Sequence, residues 1–207
     1  TNSIVEVQVG ANAQVHIDQH QKAPELAFLM TDFGVTQGDD SLFHLNTITG
    51  ETGWVRNDVG VKVKGKNCTS NLYGSYVLRG KQHVDNHTVI DHIEPHCESN
   101  ELYKGILHDK STGVFNGKVF VKQDAQKTNA FQQNANIVMS DDATMNSKPE
   151  LEIYADDVKC SHGSTTGQFD DEAIFYHKAR GLSDSSARHM LAEAFVGEVT
   201  ENVKYML

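Results

Sequence analysis

The chain has 207 residues and a formal net charge of −10, and this length suits one domain with a sizeable core. The acidic balance argues against nucleic acid or an anionic membrane surface as the main partner. No apolar run in the sequence approaches the roughly 20 residues that a membrane span requires. The three cysteines include no CxxC motif and make no disulfide framework, so we expect a reducing, cytoplasmic setting.

The first 150 residues or so have the pattern of many short β-strands. Ser3 to Val9 alternates in part, Val15 and Ile17 indicate a second strand, and Leu26 to Phe33 predicts a more fully buried one. From Ser41 onward, strand-like runs are separated by frequent glycines, and no helical pattern interrupts them. This pattern argues against a βαβ sheet and favours a sandwich, a barrel or a β-solenoid.

A polar stretch favours the solenoid among these three folds. Residues Gln123 to Asn136 are rich in Asn and Gln, whose side chains can form hydrogen-bonded ladders between stacked coils. A polar loop is the alternative reading of that stretch, and no sequence repeat is exact enough to count coils. Asn116-Gly117 could equally form a tight hairpin turn. We predict a mainly β protein with a β-solenoid core over residues 1–167.

The last 40 residues change to helical periodicity and form a predicted C-terminal segment over 168–207. Asp170 is a good N-cap for a helix that runs to Arg180 and ends before Gly181. Ser183 caps a second helix, in which apolar residues follow helical spacing. That apolar stripe consists of Ala187, Met190, Leu191, Ala194 and Phe195. Because two helices this small cannot form a core alone, they must pack on the β region or on another protein.

Two other motifs carry little functional weight. Gly60 to Asn67 resembles a phosphate-binding P-loop, but Asn67 stands where a Ser or Thr is required, and alternating Val and Lys indicate a strand. We therefore expect no bound nucleotide. Asp156 and Asp157 are adjacent, so in a strand they point to opposite faces and make a poor catalytic carboxylate pair.

Histidines and acidic residues cluster in the middle of the chain. His83, Asp85 and His87 alternate along one predicted strand face, where they could bind a divalent metal or form a polar surface ladder. The sequence favours the surface role. His92, His96 and Cys97 follow closely, and their role stays open.

Cys160 and His162 form the main candidate site, because they lie where strands give way to helices. In an extended backbone, residues two positions apart project to the same face. A thiolate and an imidazole that project together are ligand types of soft and borderline metals. A lone buried cysteine is more often a small hydrophobic residue.

Long strings in the second half of the chain resemble the SufB/SufD family of iron–sulfur cluster assembly scaffolds. The strings are PELEIYADDVKCSHG and GQFDDEAIFYHKARG, which lie between Pro149 and Gly181, and HTVIDHIEPHCES further upstream. The KCSHG form, Lys159 to Gly163, resembles the SufD branch. The likeness covers at least Gly80 to Val199. Family members are longer at the N-terminus, and Thr1 is not a natural initiator, so we expect the natural N-terminus to lie further upstream.

This resemblance implies a right-handed parallel β-helix that is followed by C-terminal helices. It also implies a non-catalytic scaffold that works with SufB and with SufC, the ATPase that would hydrolyse ATP. The resemblance further implies a transient iron–sulfur cluster that is shared with SufB at an interface that includes His162 and Cys160. The helical residues implied in SufC docking are Phe175, Tyr176, Arg180, Ala187, Met190, Leu191 and Phe195.

Two alternatives and one departure from the family pattern accompany this reading. A β-helix carbohydrate-active enzyme that uses acidic residues such as Asp156 and Asp157 is the alternative function. A homodimer that forms without SufB is left open. Family sequences commonly carry Leu where this chain has Phe169 and His177, so we expect the docking surface to differ locally at these two positions.

Overall fold

The structure is a computed structural model that describes residues 1–203. Within this range, twelve strands precede two helices along the chain. The strands are β1 (Asn2–Val9), β2 (Gln14–Gln21), β3 (Phe28–Gln37), β4 (Leu42–Thr49), β5 (Trp54–Val63), β6 (Thr69–Leu78), β7 (His83–His92), β8 (Glu98–Leu107), β9 (Thr112–Val121), β10 (Asn129–Val138), β11 (Thr144–Ile153) and β12 (Lys159–Gly167). The helices are α1 (Asp171–Lys178) and α2 (Asp184–Thr200).

The strands wind into a parallel β-solenoid of six coils. Odd-numbered strands form one six-stranded sheet and even-numbered strands form the other, so each coil contributes one strand to each sheet. All pairings are parallel and in register, which confirms the predicted solenoid and excludes the sandwich and the barrel. The hairpin alternative is wrong, because Asn116 and Gly117 lie in the middle of β9, between β7 and β11.

The coils repeat in backbone conformation and not in sequence letters. At the corner that leads into the even-numbered strands, one residue in each of the first five coils has a positive φ, and these residues recur every 27 to 31 positions. They are Asn12, Asp40, Asn67, His96 and Lys127. Asn and Asp tolerate the left-handed conformation better than most residues. The repeat is therefore a backbone requirement that several residue types meet.

Alternate residues of each strand fill the space between the two sheets. Phe43, Leu72 and Ile90 are among the side chains that are fully buried there. The expectation of a fully buried strand at Leu26 to Phe33 is wrong at its start. Phe28 is 68% exposed, because the strand's alternation places it outside and Phe33 inside.

Polar side chains connect neighbouring coils within the interior, as the predicted ladders require. Nδ2 of Asn57 donates to Oδ1 of Asn86 at 2.9 Å, and Nε2 of Gln132 donates to Glu101. The polar stretch from 123 to 136 divides between both readings. Its first residues form a corner, and the remainder lies in β10.

The two helices begin where their caps predict. The side chain of Asp170 accepts a hydrogen bond from the Glu172 amide, and that of Ser183 accepts one from the Ser186 amide. α1 ends at Lys178, two residues earlier than predicted, and Gly181 then takes the left-handed conformation with φ +88°. Residues 204–207 of the predicted helical segment lie outside the described part of the chain.

Helix α2 packs across the outer face of β6 and β8. Ala187 and Val199 of α2 are fully buried, and the Lys104 ammonium of β8 pairs with the carboxylate of Glu198. This contact confirms that the helices need a surface to pack on, and the solenoid supplies part of it. In residues 1–203, no helix has both the length and the apolar character that a membrane span would need.

Candidate interface site at the last coil

Strand β12 forms one edge of the even-numbered sheet. It pairs with β10 on one side, and no strand of the described residues covers its other side. Its backbone N–H and C=O groups on that edge can pair with another chain, because an edge strand presents unpaired groups. β11 is likewise the last strand of the odd-numbered sheet. The sixth coil therefore ends the solenoid with an open face.

His162 stands at the end of an inward-facing row of side chains. It pairs in register with Gln132, which pairs with Glu101, which in turn pairs with Leu72. Those three residues are buried, whereas His162 is exposed. The reason is positional, because no further coil of the described chain covers β12.

Two contacts establish which face of β12 points inward. The hydroxyl of Ser164 donates to the hydroxyl of Ser147 on β11 at 2.8 Å, which joins the two sheets across the interior. Cys160 packs against a cluster of buried apolar residues that includes Ala130 and Ala155. Cys160, His162 and Ser164 follow one another at intervals of two positions along the strand, so all three belong to the inner face.

Cys160 and His162 share this face but differ in chemistry. Burial raises the pKa of the Cys160 thiol, which disfavours the thiolate that would bind a metal. The His162 imidazole is exposed and can offer a nitrogen to an incoming ligand. In residues 1–203, no three His, Cys, Asp or Glu side chains are arranged to hold a metal ion.

Four of the seven predicted docking residues are exposed to solvent. Phe175 is 72% exposed, Tyr176 53% and Met190 46%. The guanidinium of Arg180 lies 3.4 Å from the centroid of the Tyr176 ring and is also exposed. These four side chains give the exposed surface of the helical segment aromatic, thioether and cationic groups.

The other predicted docking residues are partly used within the chain. Ala187 is fully buried, and Leu191 and Phe195 are half-buried. The Lys104 ammonium lies 4.8 Å from the centroid of the Phe195 ring, which anchors this side of α2 to β8. Phe195 therefore contacts the solenoid, whereas Met190 of the same stripe is exposed.

The outward-facing part of the histidine cluster makes structural contacts. Nε2 of His87 lies 2.8 Å from Oδ1 of Asp85, and the Arg56 guanidinium lies 3.1 Å from the other oxygen of the same carboxylate. His83 stacks on Trp54 with ring centroids 5.7 Å apart. These contacts agree with the surface role that the sequence favours.

The remaining members of the cluster are scattered. His92 is buried, its Nε2 lies 2.9 Å from the Ser99 hydroxyl, and burial lowers its pKa to about 4. His96 occupies a corner with positive φ, and Cys97 is buried in the core. The structure does not bring these residues together with His83 or His87.

The P-loop-like sequence and the Asp156-Asp157 pair have structural roles. Gly60 to Val63 belong to β5, which confirms that the P-loop-like sequence is a strand. Asp156 and Asp157 lie in the corner before β12, and the carboxylate of Asp157 pairs with Lys127 of the neighbouring coil.

Glu101 is a buried carboxyl that the sequence analysis missed. Burial raises its pKa to about 7, and nearby Thr88 and Gln132 lower it in part. Within residues 1–203, its Oε1 has no hydrogen-bond partner. The available signal was the alternation of Ser99, Glu101 and Tyr103, which places Glu101 on the buried face of β8.

Comparisons with known proteins give a consistent result. The family described as "SUF system FeS cluster assembly, SufBD core domain" matches residues 1–195. A SufBD family protein of Synechocystis, slr0076, is 37% identical over 202 residues, which are 98% of this chain and 45% of that protein. SufD of Escherichia coli is 41% identical over 151 residues, which are 72% of this chain and 36% of that protein.

A plant relative shows the same likeness. Protein ABCI7, chloroplastic, of Arabidopsis thaliana is 33% identical over 202 residues, which are 97% of this chain and 42% of that protein. This chain spans less than half the length of each of these three relatives. The fold, the match of the core domain and these identities together show that the chain belongs to the SufB/SufD family of SUF-system iron–sulfur cluster assembly proteins.

Proposed function

We propose that this chain is a non-catalytic scaffold subunit of the SUF machinery and acts in the cytoplasm with SufB and SufC. The nascent iron–sulfur cluster is the cargo of this assembly, and the last coil is where the chain meets SufB. The observation that carries the proposal is the position of His162, which is exposed at the end of an otherwise buried inner row. Family membership supplies the context.

In this proposal, the open edge of β12 binds the partner by strand pairing or by side-chain packing. His162 supplies a neutral nitrogen ligand or handles a proton, and a SufB cysteine faces it across the interface. Burial raises the pKa of the half-buried Cys160 thiol and so disfavours the thiolate. We therefore assign Cys160 to the packing of the last coil. This chain therefore contributes one face of a site that two subunits share.

The helices form the second proposed interface. Phe175, Tyr176, Met190 and Arg180 remain exposed although the helices already pack on the solenoid. Aromatic, Met and Arg side chains are enriched in the centres of protein interfaces. We assign these exposed side chains to the interface with SufC, whose ATP-driven movement would reach the cluster site through the helices and the last coil.

The experiment replaces His162 with Ala in the complete SUF complex and measures cluster formation. Ser161→Ala is the matched control, because Ser161 is the exposed neighbour on the opposite face of β12. The proposal expects a large loss of cluster formation in H162A, little change in S161A, and equal recovery of SufB and SufC with both variants. Unchanged cluster yield in H162A would refute the role of His162.

No contact in residues 1–203 favours the alternative of a carbohydrate-active enzyme. The carboxylate of Asp157 pairs with Lys127, and the adjacent Asp156 offers no second carboxylate beside it on the same face. A co-purification with SufB and SufC separates the alternatives. Recovery of both partners supports the scaffold, whereas recovery of a homodimer alone would contradict it.

A further inference from the structure

A second concave site lies between α2 and one corner of the solenoid. Its cavity measures about 660 Å³, which is within the range of small-molecule sites. On the solenoid side, the lining residues are Arg79, His108 and Met139. They directly follow the C-terminal ends of β6, β8 and β10 in three successive coils. The His108 amide donates to the Leu78 carbonyl at 2.9 Å, and the Met139 amide donates to the Leu107 carbonyl at 2.8 Å. These bonds stack the three residues on one another.

The other wall of the cavity is a single face of α2. The α2 residues that line it are three or four positions apart and therefore lie on one side of the helix. They are Ser185, Arg188, His189, Ala192, Glu193 and Val196. This face does not include Ala187 and Leu191 of the apolar stripe, which are buried and half-buried.

Basic groups converge on this cavity in a chain of net charge −10. Arg188 is paired with Asp184 at 2.7 Å, and His189 lies 3.3 Å from Glu193. Arg79, in contrast, has no acidic partner within salt-bridge distance among residues 1–203. An unneutralised guanidinium beside a cavity attracts an anion, because Arg offers several N–H donors in a fixed geometry.

His108 adds an uncharged donor beside Arg79. Burial lowers the pKa of His108, and the neighbouring Arg79 charge lowers it further, while Asp109 raises it. The imidazole is therefore held neutral at pH 7 and can donate one hydrogen bond without adding charge. Arg79 and His108 thus place an unpaired positive charge beside a neutral donor in the lining of the cavity.

Apolar side chains also line the cavity. Val77, Met139, Phe169, Ala192 and Val196 line it. A ligand that carries charge throughout would leave this surface without a match, and a neutral apolar ligand would leave Arg79 unpaired. The lining fits a molecule with one anionic group and one apolar body.

We propose that this cavity binds a small organic anion with an apolar body, whose carboxylate, sulfonate or phosphate group pairs with Arg79. The ligand lies along α2, with its apolar part over Val196 and Met139. This site is separate from the last coil, so a failed test of ligand binding here would not bear on the cluster-assembly role.

A matched pair of fluorescent probes tests the proposal. 1-Anilinonaphthalene-8-sulfonate carries an anionic group and an apolar body, and N-phenyl-1-naphthylamine is the same body without the sulfonate. The natively folded protein is titrated with each probe, together with Arg79→Gln and the control Arg180→Gln. Arg180 lies over Tyr176, away from the cavity. Circular dichroism confirms that each variant keeps its fold.

The proposal expects saturable binding of one sulfonate probe per chain and binding of the neutral probe that is at least about tenfold weaker, since a hydrogen bond to a charged group contributes roughly 1.5–3 kcal/mol. R79Q weakens the binding of the sulfonate probe by a similar factor, and R180Q leaves the affinity for this probe unchanged. Displacement by octanoate and by octyl phosphate then shows which head group the site prefers. Equal affinity for both probes, or equal binding by R79Q, would overturn the proposal.

Discussion

Replacing Glu101 with Gln tests how the buried carboxyl affects stability. The folded protein raises the pKa of Glu101 from an ordinary 4.5 to about 7 through burial. A raised carboxyl pKa means that the folded state binds the proton more tightly than the unfolded state. Stability from this group is therefore fully present below about pH 4.5 and is lost as the pH rises through 7.

The size of the effect follows from the same shift. Each pKa unit corresponds to about 1.4 kcal/mol, so the full loss has an upper limit of about 3 kcal/mol at pH 8. Glu101→Gln keeps the side-chain shape but cannot ionise. We expect E101Q to gain stability relative to the wild type as the pH increases from 5 to 8, by up to that amount.

Urea unfolding of both proteins at pH 5, 6, 7 and 8 measures this difference. Glu98→Gln is the control, because Glu98 is an exposed carboxylate on the same strand and accepts a bond from Asn129 at 3.3 Å. E98Q should show no comparable trend with pH. A stability difference between E101Q and wild type that stays constant from pH 5 to 8 would refute the reasoning.

Two further substitutions test packing and capping. Gly117→Ala places a Cβ 2.5 Å from Nε2 of Gln132, so we expect urea unfolding to show a loss of about 1–3 kcal/mol, whereas Gly163→Ala meets nothing within 4 Å and should cost far less. Equal losses for both would contradict the packing. Asp170→Ala removes the cap of α1 and should cost about 1 kcal/mol, with faster amide exchange across the helix. Glu172→Ala is its control, and unchanged exchange in D170A would show that the cap is dispensable.

The solenoid could be predicted from sequence, but its coil count could not. Short strands with close glycines and Asn/Gln runs indicate stacked coils, and the absence of helical periodicity before residue 168 argues against a βαβ sheet. The coil repeat itself depends on a left-handed backbone position, which Asn12, His96 and Lys127 all satisfy. Because different residue types meet the same backbone requirement, the amino-acid sequence shows no exact repeat.

Parts of the site could be predicted, and the missing parts depend on distant segments. The two-residue spacing of Cys160 and His162 places them on one face, and the resemblance to the family points to both. Whether that face is covered depends on the number of coils, which the sequence does not reveal. The cavity at Arg79 is also hidden in the sequence, because Arg79 and Arg188 are 109 positions apart and meet only once α2 packs on the solenoid.

Local patterns also misjudged burial at the start of β3. An apolar run such as LAFLM indicates a buried strand, but Phe28 and Met30 alternate to the outer face, where no described element covers them. Apolar content alone does not tell which face of a solenoid strand is inside. The register with neighbouring coils determines it.

Amide hydrogen exchange of the complete SUF complex tests most directly whether the last coil is the partner-binding face. Exchange over residues 159–167 is compared between the chain alone and the chain in the assembled complex that contains SufB. Strong additional protection of this strand, with little change at 14–21 on the opposite end of the same sheet, is the predicted result. Unchanged exchange at 159–167 in a fully assembled complex would contradict the account.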